Sequence, residues 1–243
     1  MGAAVHVVLG SASPARLATL RAAGVHPEVL VSGVDEDGVV ADSPAALAGI
    51  LAELKGDAVA DRVSRRLSSS KPATPTGSRR SSSSPVLSSA EVKPATPTSS
   101  DHTLVIGADS VLEFDGRPMG KPGTPEIAKQ RWQQMRGRDG VLYTGHRLVL
   151  LDPEGRVRRA ATVVAGTRVW HADLSEAEID AYIATGEPLQ VAGGFTVDGL
   201  GGPFIDRIEG DFHNVVGLSL PLVRRLLAEW GVGWHELRAA NPG

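Results

Sequence analysis

Apolar and polar positions alternate along this chain in two rhythms, and the switches between them fall at Ser, Thr, Pro and Gly. Val5 to Leu9, Glu28 to Ser32, Leu104 to Gly107, Val111 to Phe114, Val141 to Leu151 and Val157 to Trp170 have strand character. Asp152-Pro153-Glu154-Gly155 separates the last two runs and predicts a turn that folds them into a long hairpin. Helix starts are marked by a hydroxyl side chain at the N-cap followed by proline at the first helical position. Ser13-Pro14 opens a helix ending at Gly24, Ser43-Pro44 opens one carrying Leu47, Leu51, Leu54 and Ala58, and Thr124-Pro125 opens one stopped by Gly137. Ser175 and Glu178 form a capping box for a fourth, with Ile179 and Tyr182 as its apolar stripe and Gly186 as its stop. A last helix is expected from Pro221 to Trp230. Strands alternating with helices predict an α/β fold, whose ligands sit beyond strand C-termini and at helix N-termini.

The rhythm stops from about Leu67 to Ser100, where Ser, Thr, Pro, Lys and Arg replace nearly all large apolar residues. Lys71-Pro72-Ala73-Thr74-Pro75-Thr76 recurs as Lys93-Pro94-Ala95-Thr96-Pro97-Thr98 within it. We expect a disordered insert, at about 67–100, interrupting a single domain that spans 1–243. It is either a tolerated surface insertion, since each doubling of a flexible loop costs only about 0.6 kcal/mol, or a place for phosphorylation or partner docking. The 243 residues, 42% hydrophobic and 22% charged, are enough for a proper core. A formal net charge of −3 excludes bulk attraction to nucleic acid or to an anionic membrane, so any polyanion must be held by a local cation cluster. With no cysteine, disulfides, thiolate metal sites and a thiol nucleophile are excluded, and the nucleophile must be water or an oxygen. No run reaches the about 18 apolar residues of a spanning helix, and Met1 to Leu9 lacks a cationic leader, so a cytoplasmic protein is expected.

Three stretches carry candidate chemistry. Leu9-Gly10-Ser11-Ala12-Ser13-Pro14-Ala15-Arg16 joins the first strand to the first helix, and sets backbone N–H groups, hydroxyls and a cation at a positive helix end. That pattern suits an anion, and it equally fits an ordinary capped turn with Arg16 on the surface. Ile106-Gly107-Ala108-Asp109-Ser110 puts a carboxylate after an apolar strand, as either a base facing a site at the sheet's edge or a turn residue. Gly116-Arg117-Pro118-Met119-Gly120-Lys121-Pro122 follows; it is one residue short of a P-loop and has Pro122 where a magnesium-binding hydroxyl should stand, so it is not one. Asp35-Glu36-Asp37-Gly38 concentrates carboxylates for a hard divalent cation, or forms an exposed acidic turn. The seven histidines have no ligand spacing, so a zinc site is not expected.

In this order the pieces resemble the Maf (septum formation) family, whose patterns include a Ser-x-Ser-Pro-x-Arg turn, a later Asp-Glu, a helical Lys, Ala-Asp-Ser/Thr and Gly-Lys-Pro. Here these are Ser11 to Arg16, Asp35-Glu36, Lys55, Ala108-Asp109-Ser110 and Gly120-Lys121-Pro122. The resemblance continues through Tyr143-Thr144-Gly145, Gly186-Glu187-Pro188, Ala192-Gly193-Gly194-Phe195 and Ile208-Glu209-Gly210 to Asn214-Val215-Val216-Gly217-Leu218, and covers the chain apart from the insert. It implies a two-lobed α/β fold, a mixed twisted sheet flanked by helices with a central cleft, and a homodimer. It implies hydrolysis of a nucleoside triphosphate to the monophosphate and pyrophosphate, with Mg2+ or Mn2+. Asp109 is carried over as the proton acceptor, Ser11, Arg16, Glu36, Lys55 and Lys121 as substrate-binding residues, and Glu36 with Asp109 as candidate metal ligands. Ala15 stands where relatives carry Arg or Trp, Ser110 where Thr is common, Asp198 where they carry Gln or Glu, and Val191 where Lys is frequent. Ala15, Ser110 and Asp198 are thus specificity candidates that leave the base open. Two rivals are a regulatory protein of septum formation that binds nucleotides or partners, and a pyrophosphatase of the inosine triphosphate type.

Overall fold

The computed structural model describes residues 5–36, 38–69 and 102–239. Seven strands form one sheet: β1 (Val5–Leu9), β2 (Glu28–Val29), β3 (His102–Phe114), β4 (Arg117–Met119), β5 (Asp139–Leu151), β6 (Val157–His171) and β7 (Ile205–Glu209). The spatial order is β2-β1-β3-β5-β6-β7, with β4 also on β3. β1 runs parallel to β2 and β3, whereas the β3–β5, β5–β6 and β6–β7 pairs are antiparallel. The helices are α1 (Pro14–Ala22), α2 (Pro44–Ser69), α3 (Pro125–Met135), α4 (Glu176–Ala184), α5 (Phe212–Val216), α6 (Leu220–Glu229) and α7 (Trp234–Ala239).

The N-cap signals act as expected. The hydroxyls of Ser13 and Thr124 accept from backbone N–H groups of Arg16 and Ile127, and both halves of the Ser175–Glu178 capping box form. Gly155 takes a positive φ of 81° in the Asp152 turn, and β5 and β6 pair as the long hairpin. Three expectations are corrected. The second strand stops at Val29 instead of Ser32. Ala108-Asp109-Ser110 is not a turn: β3 is one unbroken strand, held extended because β5 pairs with it from Thr103↔Leu151 to Glu113↔Val141. The buried stripe of α2 is Ala48, Gly49, Leu51, Ala52, Gly56, Val59, Ala60 and Val63, while Leu54 is 42% exposed.

Small residues carry that stripe because α2 lies unusually close to the strands. A Cβ on Gly107 would lie 2.5 Å from the Gly56 backbone, and one on Gly145 would collide with the Ala48 carbonyl. Gly107→Ala is therefore expected to destabilise the fold by about 3 kcal/mol, since neither backbone can yield freely. An unchanged urea midpoint would show that the helix shifts at no cost.

Two lobes share the long strands. In one, α1, α6 and α7 cover Val7, Leu9, Ile106 and Leu148 on one face, and α2 covers Val8, Val105 and Val149 on the other. In the second, α3 and α4 close over Leu112, Phe114, Leu142 and Val169, centred on the fully buried Trp132, whose indole N–H donates to the Gly194 carbonyl at 2.9 Å. Burial of each such large apolar side chain contributes about 1.5–3 kcal/mol. α2 continues through Ser69, three residues into the expected insert; residues 70–101, with the duplicated hexapeptide, lie outside the described residues. Among the described residues no helix is long and apolar enough to cross a membrane.

Candidate active site

β1 ends at Leu9, opposite Ile106, and β4 takes up pairing with β3 only at Leu112. From Gly107 to Val111, β3 therefore pairs with β5 alone among the described strands, leaving a gap in the sheet between the two lobes. Side chains alternate across a strand, so neighbours in this gap point to opposite faces. Asp109 faces α2 and Ser110 faces α1. The gap adjoins the C-terminal end of β1 and the N-terminus of α1, where an α/β sheet exposes unpaired N–H groups.

On the α2 face, the Lys55 ammonium donates to Asp109 Oδ1 at 2.5 Å and pairs with Glu36 Oε1 at 2.8 Å. Asp109 is 13% exposed and Glu36 49%, so the pair reaches from the sheet out to solvent. On the α1 face, Arg16 is buried and its fork is aimed by three oxygens. Its Nε donates to the Gly217 carbonyl at 2.8 Å, Nη1 to Ser11 Oγ at 3.0 Å and Nη2 to Ser110 Oγ at 3.0 Å. A guanidinium has five N–H donors, so one remains on each terminal nitrogen. Burial lowers the Arg16 pKa, and the charges of Asp109 and then Glu36 act against that. The two clusters therefore sense each other across the gap.

Behind Arg16 lies a chain of hydroxyls. Thr144 Oγ1 is 3.0 Å from Ser110 Oγ and gives its proton to the Asn214 carbonyl at 2.9 Å, so Ser110 is the donor between the two hydroxyls. Buried His146 accepts at Nε2 from the Ser219 backbone N–H, 2.8 Å away. Burial first, and the Arg16 charge second, push its pKa down to about 4. In the unfolded chain it titrates near 6.5, so protonation favours unfolding, and stability falls as pH drops from about 6.5 towards 4. We expect roughly 2 kcal/mol of that acid loss to disappear in His146→Gln, compared with wild type in urea melts at pH 7 and pH 4.5. An identical pH dependence in the two proteins would exclude His146 as its source.

Of the residues marked in the sequence, Ser11, Arg16 and Ser110 meet on one face, and Glu36, Lys55 and Asp109 on the other. Ala15 is half-buried beside Arg16, and its carbonyl accepts from Thr19 Oγ1 at 2.9 Å. Asp37 lies outside the described residues. Lys121 is exposed on the loop after β4 and forms no ion pair among the described residues; Arg131 and Gly193 anchor the loop by donating to the Gly120 carbonyl. Asp198 is not brought to either cluster. It is exposed and lines a cavity of about 340 Å³ with Thr19, Ala22, Phe212 and Val216, along α1 away from its N-terminus. Sequence reasoning missed Thr144, Asn214, Gly217, His146 and Ser219; their only signal was that Thr144, Asn214 and Gly217 fall inside motifs of the resemblance.

The fold is thus a two-lobed α/β one whose cations and carboxylates line both faces of a gap in the sheet. The sequence model described as Maf-like protein matches residues 6–230, and the chain belongs to the Maf family. A protein of Salinispora tropica is 49% identical over 225 residues, covering 93% of this chain and 84% of that protein. One of Rhodococcus jostii is 48% identical over 234 residues, covering 96% of each, and one of Streptomyces coelicolor is 48% identical over 233 residues, covering 96% and 94%. All three bear the name nucleoside triphosphate pyrophosphatase.

Proposed function

We propose that this chain is a cytoplasmic nucleoside triphosphate pyrophosphatase, acting as one domain in a homodimer and hydrolysing (d)NTP to (d)NMP and pyrophosphate. The observation that carries this is the gap at Gly107 to Val111, with the Asp109 carboxylate on one face and the half-committed Arg16 fork on the other. The names of the relatives favour the enzymatic role over a regulatory one. The net charge of −3 argues against nucleic acid as a partner.

The donor set fits a divalent cation. Two carboxylates, Glu36 and Asp109, converge on a single ammonium, and magnesium is commonly held by one or two carboxylates with substrate phosphates and water completing its shell. Among the described residues no cluster of three or more acidic or histidine ligands exists, so substrate oxygens and water would complete the shell. When bound, such a cation neutralises phosphate charge and makes a nearby water more acidic.

Arg16, through its two remaining N–H groups, and Lys121 bind the triphosphate, and Ser11 closes the same wall. Asp109 orients a water and takes its proton as the water oxygen bonds to the α-phosphorus and the bond to the bridging α–β oxygen breaks. Pyrophosphate leaves with the electron pair, and its added charge is met by Lys55 and Arg16. Ala15, Ser110 and Asp198 are our candidates for setting the base preference. The test is incubation with Mg2+ or Mn2+ and a panel of standard and modified nucleoside triphosphates, assaying pyrophosphate and orthophosphate separately. Pyrophosphate from a subset is expected; orthophosphate as the first product, or none from folded protein, would overturn the proposal.

A further inference from the structure

Arg16 owes its direction to a segment about two hundred residues away in the chain. Its Nε rests on the Gly217 carbonyl, and Gly217 adopts φ 119°, with a Cβ there falling 3.1 Å from that same Nε. The carbonyl can face Arg16 only because residue 217 has no side chain and tolerates this φ. α5, which leads into Gly217, is too short to hold itself in place by its own hydrogen bonds. It is pinned instead by Asn214. The two Nδ2 hydrogens of buried Asn214 are shared among three acceptors, the Leu142 carbonyl of β5 at 3.2 Å, the Ala165 carbonyl of β6 at 3.2 Å and Thr167 Oγ1 at 3.1 Å. Its backbone carbonyl accepts from Thr144 Oγ1, the end of the hydroxyl chain that starts at Arg16 and passes Ser110. Asn214 thus reaches Arg16 by two routes: forward through Gly217 to Nε, and back through Thr144 and Ser110 to Nη2.

We propose that Asn214 is a positioning residue for the reaction, fixing α5 against β5 and β6 so that Gly217 and Ser110 aim the Arg16 fork into the gap. This rests on the role proposed above for Arg16 in holding the triphosphate. Neither hydroxyl nor amide of this chain need touch substrate. Their effect comes through the orientation of a buried group, where displacement by about 1 Å can cost up to a hundredfold in rate.

A double-mutant cycle on the full chain separates positioning from general support. Asn214→Ala, Arg16→Ala and the double variant are compared by kcat/KM for the preferred triphosphate and by calorimetric affinity for inorganic pyrophosphate, with thermal melting as the check on folding. In the presence of Arg16, Asn214→Ala is expected to lower kcat/KM about 30-fold; in Arg16→Ala it should lower it less than about threefold, because the group it aims is gone. The same factor in both backgrounds would overturn the proposal. Should Asn214→Ala not fold, Thr144→Val breaks the back route with no change of shape, and the same loss of effect without Arg16 is expected. If Arg16→Ala alone changes neither measurement, the role of Arg16 itself fails and takes this inference with it. A damaging Arg16→Ala with an undiminished Asn214 effect sinks only the positioning claim.

Discussion

Asp109→Asn is expected to lower kcat by at least about 10³-fold with saturating triphosphate and Mg2+, while circular dichroism and the melting curve stay close to wild type. The side chain keeps its shape and a carbonyl oxygen for Lys55, but it loses the basic oxygen proposed to take a proton from water. The backbone at 109 sits mid-strand, paired with Gly145, so little in the fold depends on the carboxylate. Lys55 also keeps Glu36 as a counter-charge at 2.8 Å. A folded Asp109→Asn enzyme with normal kcat would remove Asp109 from the role of base.

Arg16→Lys is expected to reduce kcat/KM about 10²-fold even though the charge is kept. Three oxygens, those of Gly217, Ser11 and Ser110, are arranged around a planar fork at 2.8, 3.0 and 3.0 Å. A single ammonium cannot satisfy them and still present two parallel donors to a phosphate. At least one of these three charge-assisted bonds would then be lost, which adds a stability loss of about 1–3 kcal/mol. Rates for Arg16→Lys and Arg16→Ala with the same triphosphate check this: if the lysine variant matches wild type, Arg16 acts only as a point charge.

Much of this was legible in the sequence because the signals were local. A hydroxyl before a proline fixes a helix start through one side-chain hydrogen bond, so α1 and α3 begin at Pro14 and Pro125. The cations and carboxylates of the gap were legible too, since Arg16 follows the first strand at a helix N-terminus and Asp109 ends an apolar run. What was not legible depends on contacts between distant segments. Asp109 read equally well as a turn residue, yet Gly107 is small to let α2 approach, and β5 keeps the strand extended. Leu54 looked core-facing by spacing, but once the glycines set the helix down its stripe turned towards Ala48, Ala52 and Gly56. β7 and α5 were overlooked because both are five residues long and carry too few apolar positions to show a period. With α5 went the roles of Asn214 and Gly217, which exist only through their reach across the sheet.

In the proposed mechanism water attacks the α-phosphorus in the gap beside Asp109. Turnover in H2 18O tests it most directly, with the label located by mass spectrometry. One 18O atom in the nucleoside monophosphate and none in the pyrophosphate is the expected result. Label in the pyrophosphate would mean attack at the β-phosphorus, and label in orthophosphate would mean cleavage at the γ position; either would contradict the chemistry assigned to this site.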